Sequence, residues 1–172
     1  KFTWNIFCDW YLEFTKIIYQ SPNSDDIKET KNVTSFILSN TLVMLHPIIP
    51  FFTEHLWKEA AHILKKNSEK INQAKWPEKI NNNGNNTSKI NILISLITAI
   101  RSTRSELNVP ANIEIDIAYF NISDELKLII ESHKSTILNL TKSKSISMSA
   151  FKKNKGMIQV MFNDGLIYLL LK

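Results

Sequence analysis

The sequence predicts a mainly α protein: a helical bundle over residues 1–109, followed by a small α+β unit over residues 110–172. Two observations carry this. Apolar residues recur at helical spacing through four segments before Pro110. After it, Ile113, Ile115 and Ile117 alternate with Glu114, Asp116 and Ala118, the period of two that a strand requires. With 172 residues, 44% of them apolar, the chain can bury a real core.

The first helix is expected over Phe2–Ile18. Wound at ~100° per residue, Phe7, Tyr11, Phe14 and Ile18 share one side, flanked by Trp4 and Trp10. Asn5, Asp9, Glu13 and Lys16 form a narrow polar stripe opposite, with Leu12 beside it. A second helix is expected after Ser24, whose side chain can cap a turn led by Asp25 and Asp26. Val33, Phe36, Ile37, Leu42, Val43 and Leu45 line it, and it stops before Pro47. A third starts near Pro50, a residue suited to a first turn, and carries Phe52, Leu56, Trp57, Ala60 and Ile63. A loop of roughly twenty residues follows, with Trp76-Pro77 and the low-complexity tract NNNGNN at 81–86. The fourth helix runs over Ser88–Leu107, with Ile90, Leu93, Ile97 and Ile100 on one face. In the α+β unit, Ser123 caps a helix through Leu126, Ile129 and Ile130. A short strand is expected at 146–149, and a hairpin turns at Asn163-Asp164-Gly165.

No apolar run reaches the ~18 residues of a membrane span, so no membrane partner is expected. The lone cysteine, Cys8, excludes a disulfide framework and points to a reducing, cytoplasmic location. The start, Lys1-Phe2-Thr3-Trp4, has neither an initiator Met nor a leader pattern, and predicts a piece of a longer protein. The net charge of +5 is unevenly placed. Residues 1–131 hold 14 basic and 15 acidic residues, whereas 132–172 hold seven Lys and one Asp. The tract 141–156 has five Lys and no acid, which suits an anionic partner such as nucleic acid. A solvated surface in a lysine-biased sequence explains it equally well, since Lys outnumbers Arg 19 to 2.

The residues offer no catalytic centre. The three glycines fit no phosphate loop. His55 and His62 share a helix face but lack a third ligand, so no metal site is expected; His46 and His133 lie apart. Arg101 and Arg104, the only arginines, lie three apart on the fourth helix, where planar guanidinium groups can do what Lys cannot. Direct RNA contact is one role for them. Bridges to Glu54, Asp9 or Glu106 are the other.

Four segments then converge on a family. FTWNIFCDWYLEFTK (2–16), LHPIIPFFTEHLW (45–57), AKWP (74–77) and IRSTRSELNVP (100–110) resemble, in order, landmarks of the anticodon-binding domain of bacterial valyl-tRNA synthetases. The His-Pro…Pro-Phe segment is shared with isoleucyl- and leucyl-tRNA synthetases; FCDWYLE and IRSTRSELNVP favour the valyl type. The resemblance implies a bundle of the class I synthetase anticodon-binding type. Its parent would attach valine to tRNA(Val) using ATP with magnesium. Catalytic and editing domains would lie elsewhere in that parent, because the His-Ile-Gly-His and Lys-Met-Ser-Lys-Ser segments are absent here. KSKS at 142–145 mimics the latter only through lysine bias. No cofactor is expected in this chain, and no DNA partner. The resemblance also implies that the first helix lines the surface receiving the anticodon loop. On that surface Asn5, Asp9 and Glu13 would meet base edges, Leu12 a base face, and Lys16 a phosphate. The alternatives are the same domain of an isoleucyl or leucyl enzyme, and a helical protein-interaction module that binds no RNA.

Overall fold

A computed structural model describes residues 1–20, 23–64, 68–79, 87–110, 112–148, 157–162 and 165–170. The architecture is mainly α with a small four-stranded sheet, as the sequence predicts. The chain divides into two compact units, Lys1–Asn82 and Asn83–Lys172.

The first unit opens with a helix of two windings. Thr3–Tyr11 is π-wound, and the Leu12 amide donates to the Phe7 carbonyl five residues back. Leu12–Ile18 then continues as α1. Bonds closing over five residues turn the chain less per residue than an α-helix does, so faces counted at ~100° drift. The consequence is visible. Phe7 is buried and stacks on Tyr11 at 5.4 Å, but Trp4, expected beside them, is 73% exposed. Helix α2, Ser24–Leu45, is capped by Asn23, whose side chain accepts from the Asp25 amide at 3.1 Å; the expected cap, Ser24, is the first helical residue. Helix α3, Pro50–Glu59, starts at its proline as expected.

The buried face of α2 differs from the expected one. Val33 and Phe36 are exposed, while Thr30, Ser35, Ser39, Leu42 and Val43 are buried. Hydroxyls can be buried in a helix because they donate back to its own carbonyls. Ser39 Oγ does so to Phe36 O at 3.0 Å. The small residues also admit Tyr11, whose hydroxyl donates to Thr30 O at 3.3 Å. Further along, Leu42 and Val43 join Trp57, Leu64 and Ile71 in one core, with Leu38, Leu56, Ala60 and Ala74 packed against it. Ile71 enters from a 3-10 turn, Ile71–Gln73. Phe52 and Ile63, two of the apolar residues expected along the third helix, are exposed, and Ile63 lies beyond the end of α3.

The second unit contains α4, Thr87–Glu106. It packs on α5 (Asp124–Ser132), α6 (Lys134–Thr141) and strand β3 (Met157–Phe162). The change of sequence pattern at Pro110 therefore falls inside this unit, downstream of the division at Asn82/Asn83. Leu93, Leu96, Ile97 and Ile100 form the buried face of α4, and Ile90 is exposed. Ser123 caps α5 as expected, accepting from the Leu126 amide. The second helix, α6, has no counterpart in the expected order. Strand β1 (Ile115–Phe120) pairs in parallel with β2 (Ser143–Met148), and α5 and α6 make the crossover that parallel pairing requires. Strand β4 (Gly165–Leu170) runs antiparallel to both β1 and β3, giving the order β2-β1-β4-β3. In the hairpin, Phe162 faces Gly165, while residues 163–164 lie outside the described set. Gly165 leaves no room for a side chain: a Cβ there would meet Ile122 Cγ2 at 2.5 Å. Residues 149–156, half of the lysine-rich tract, and the NNNGNN tract also lie outside the description. Among the described residues no helix is long and apolar enough to cross a membrane.

Candidate nucleic-acid interface

The residues of the expected polar stripe fall on both windings of the first helix. Asn5 and Asp9 on the π segment and Lys16 on α1 are exposed, while Leu12 and Glu13 are half-buried. Lys16 Nζ pairs with Glu13 Oε1, one helical turn away. With Lys16 beside Glu13, Asp9 is the stripe's one charge without an opposite charge on the stripe. Behind the stripe, buried Thr15 donates to Leu12 O at 2.8 Å and fixes that turn. Leu12 is thus an apolar side chain held between polar neighbours, with part of its surface open.

A second feature of this unit is a groove of about 810 Å³ lined by Phe2, Phe36, Met44 and Trp76, with Lys75, Lys79 and the acidic Glu78. Aromatic faces beside lysines have the chemistry to stack unpaired bases and to meet phosphate. The sequence marks Trp76 only through its resemblance, and the helical period assigns Phe36 to the core. The groove was therefore not legible as a site.

The arginines serve the fold of the second unit. Arg104 is 6% exposed, and its guanidinium forks onto four carbonyls. Nη1 donates to Thr141 O (3.0 Å) and Lys142 O (2.8 Å), and Nη2 to Pro110 O (3.0 Å) and Ile113 O (2.7 Å). Burial pulls its pKa below the ordinary arginine value. Arg101 is exposed, and its Nε donates to Leu140 O at 2.8 Å. Together they cap the C-terminus of α6, whose last carbonyls have no partner within the helix and carry partial negative charge. Arg104 is therefore taken up by main-chain carbonyls of its own unit, where the sequence offered RNA contact or side-chain bridges as its roles. Lys142, in the left-handed conformation (φ 52°), ends α6 and turns the chain into β2. Cys8 is half-buried with its thiol free of a disulfide. Among the described residues no three His, Cys, Asp or Glu side chains gather where they could hold a metal ion.

The family described as "Anticodon-binding domain of tRNA ligase" matches residues 1–119, more than two thirds of the chain. The chain belongs to this family. As an anticodon-binding domain it has relatives among long enzymes. It is 39% identical over 157 residues to valine–tRNA ligase of Zymomonas mobilis, covering 88% of this chain and 17% of that protein. It is 34% identical over 170 residues to valine–tRNA ligase of Brucella suis, covering 97% and 18%. Against the enzyme of Buchnera aphidicola it is 35% identical over 149 residues, covering 86% and 16%. The chain therefore spans less than a fifth of the length of these relatives.

Proposed function

We propose that this chain is the tRNA-binding part of a valine–tRNA ligase, and that the stripe of its first helix receives the anticodon loop of tRNA(Val). The observation that carries the reading is the 34–39% identity with proteins of that name over most of the chain. In the parent, valine is joined to tRNA at the expense of ATP, with magnesium, by domains outside these 172 residues; the setting is the cytoplasm. The residues here bind and orient. Leu12 packs on the face of an unpaired base. Asn5, Asp9 and Glu13 offer hydrogen-bonding groups to base edges, and Lys16 lies near a phosphate.

In the full-length enzyme, Leu12→Ala is expected to lower kcat/KM for tRNA(Val) charging by on the order of 1–3 kcal/mol, one lost base-packing contact. Because Leu12 is only half-buried, the melting temperature should change little. Normal charging by a destabilised variant would assign Leu12 to packing alone. Lys16→Ala has a different signature. It removes one phosphate contact, so the slope of log affinity against log salt should flatten by about 0.7–0.9, for cognate and non-cognate tRNAs alike. A salt slope equal to that of the unaltered enzyme would remove Lys16 from the interface.

A further inference from the structure

The corner joining α2 to α3 exposes four large apolar side chains in succession but for one proline. Ile48 is 76% exposed and Phe51 89%, with Ile49 and Phe52 also open to solvent. This corner is stiff. The Ile48 and Ile49 amides both donate to Leu45 O, at 2.9 and 3.0 Å. Thr53, fully buried, donates from Oγ1 to the carbonyls of Ile49 and Pro50. Thr53 Oγ1 and His46 Nδ1 also lie within hydrogen-bonding distance, at 2.8 Å. Pro47 and Pro50 further restrict the backbone. An exposed Phe on a pre-organised frame loses little freedom on docking, which is the character of a protein-binding hot spot.

The charge pattern selects the occupant. Residues 45–53 contain no Lys, Arg, Asp or Glu, in a chain where 22% of residues are charged. Nucleic acid is held mainly through cations on phosphate, and an anionic membrane surface also needs them. The next charge along the chain, Glu54, is lowered in pKa by its hydrogen bond to Lys58, with which it pairs at 3.0 Å. The complementary surface is therefore uncharged and apolar. Relatives that align with nearly all of this chain are more than five times its length, so a single polypeptide can supply that surface.

We propose that Ile48–Phe52 is a docking knob that seats in an uncharged apolar socket on another domain of the same polypeptide. The inference rests on the chain being part of a tRNA ligase, but not on where the anticodon binds. The test is side-chain footprinting by hydroxyl radicals on the full-length enzyme carrying this domain, without tRNA, across a range of concentrations. Phe51 should be modified about tenfold more slowly in the native enzyme than in the urea-unfolded enzyme, as a desolvated anchor would be. Equal rates would overturn the proposal. So would protection that appears only with tRNA, which makes RNA the occupant, only at high concentration, which makes it a second copy, or only with lipid vesicles. A double variant, Ile48→Ser with Phe51→Ser, changes side chains that carry none of the corner's own hydrogen bonds. It should speed proteolytic cleavage between the domains of the full-length enzyme several-fold, and an unchanged cleavage rate would also overturn the knob. Because the expected protection and cleavage are both read without tRNA, their failure leaves the anticodon reading standing, and failure of the Leu12 test leaves the knob standing.

Discussion

Arg104→Ala is expected to destabilise the second unit by on the order of 3–5 kcal/mol, with no direct effect on RNA contacts. The side chain is buried and donates four hydrogen bonds to carbonyls from three places: the end of α6, the turn after it, and the 110–113 segment. Removing it strips these acceptors of a charged donor and opens a cavity between α4 and α6. Arg104→Lys should recover less than half of the loss, because an ammonium offers three donors at one point where the guanidinium offers a planar fork. Denaturant unfolding of both variants checks this. A midpoint for the Ala variant close to the unaltered one, or full rescue by Lys, would contradict the capping role.

Trp57→Ala should destabilise the first unit by a similar amount, roughly 3–5 kcal/mol. Trp57 is 2% exposed and sits among Leu42, Val43, Leu64 and Ile71, drawn from α2, the segment after α3 and the 3-10 turn. No single neighbour can move into the space an indole leaves, so both transfer energy and cavity energy are lost. By contrast, Trp76→Ala should cost little, since Trp76 is 62% exposed on the groove. Comparing melting temperatures of the two tryptophan variants checks the assignment. Equal losses would mean that the core does not centre on Trp57.

Local signals were legible where the physics is local. Pro50 starts α3, Ser123 caps α5, and the alternation at Ile115 and Ile117 places β1. Burial was less legible, because it depends on what each face meets. The hydroxyl face of α2 reads as polar, yet Thr30 and Ser39 are buried, while Phe36 and Val33 are not. The π winding over Thr3–Tyr11 has no compositional mark, so the faces counted at the α-helical period were misplaced there. Of the candidate site, the stripe from Asn5 to Lys16 was visible as a pattern, and the scarcity of arginine drew notice to Arg101 and Arg104, which hold main-chain carbonyls. Their partners were not visible, since every residue owns a carbonyl and the sequence carries no sign of which ones go unpaired.

The central claim is that the first-helix stripe reads the anticodon, and a double-mutant cycle tests it most directly. The four charging efficiencies are those of the unaltered and Leu12→Ala full-length enzymes, each with native tRNA(Val) and with tRNA(Val) whose three anticodon nucleotides are replaced. If Leu12 packs on an anticodon base, replacing the anticodon already removes that contact. Leu12→Ala should then cost about 1–3 kcal/mol with the native tRNA and almost nothing with the substituted one. Equal penalties with both tRNAs would show that Leu12 and the anticodon act independently, and would contradict the account.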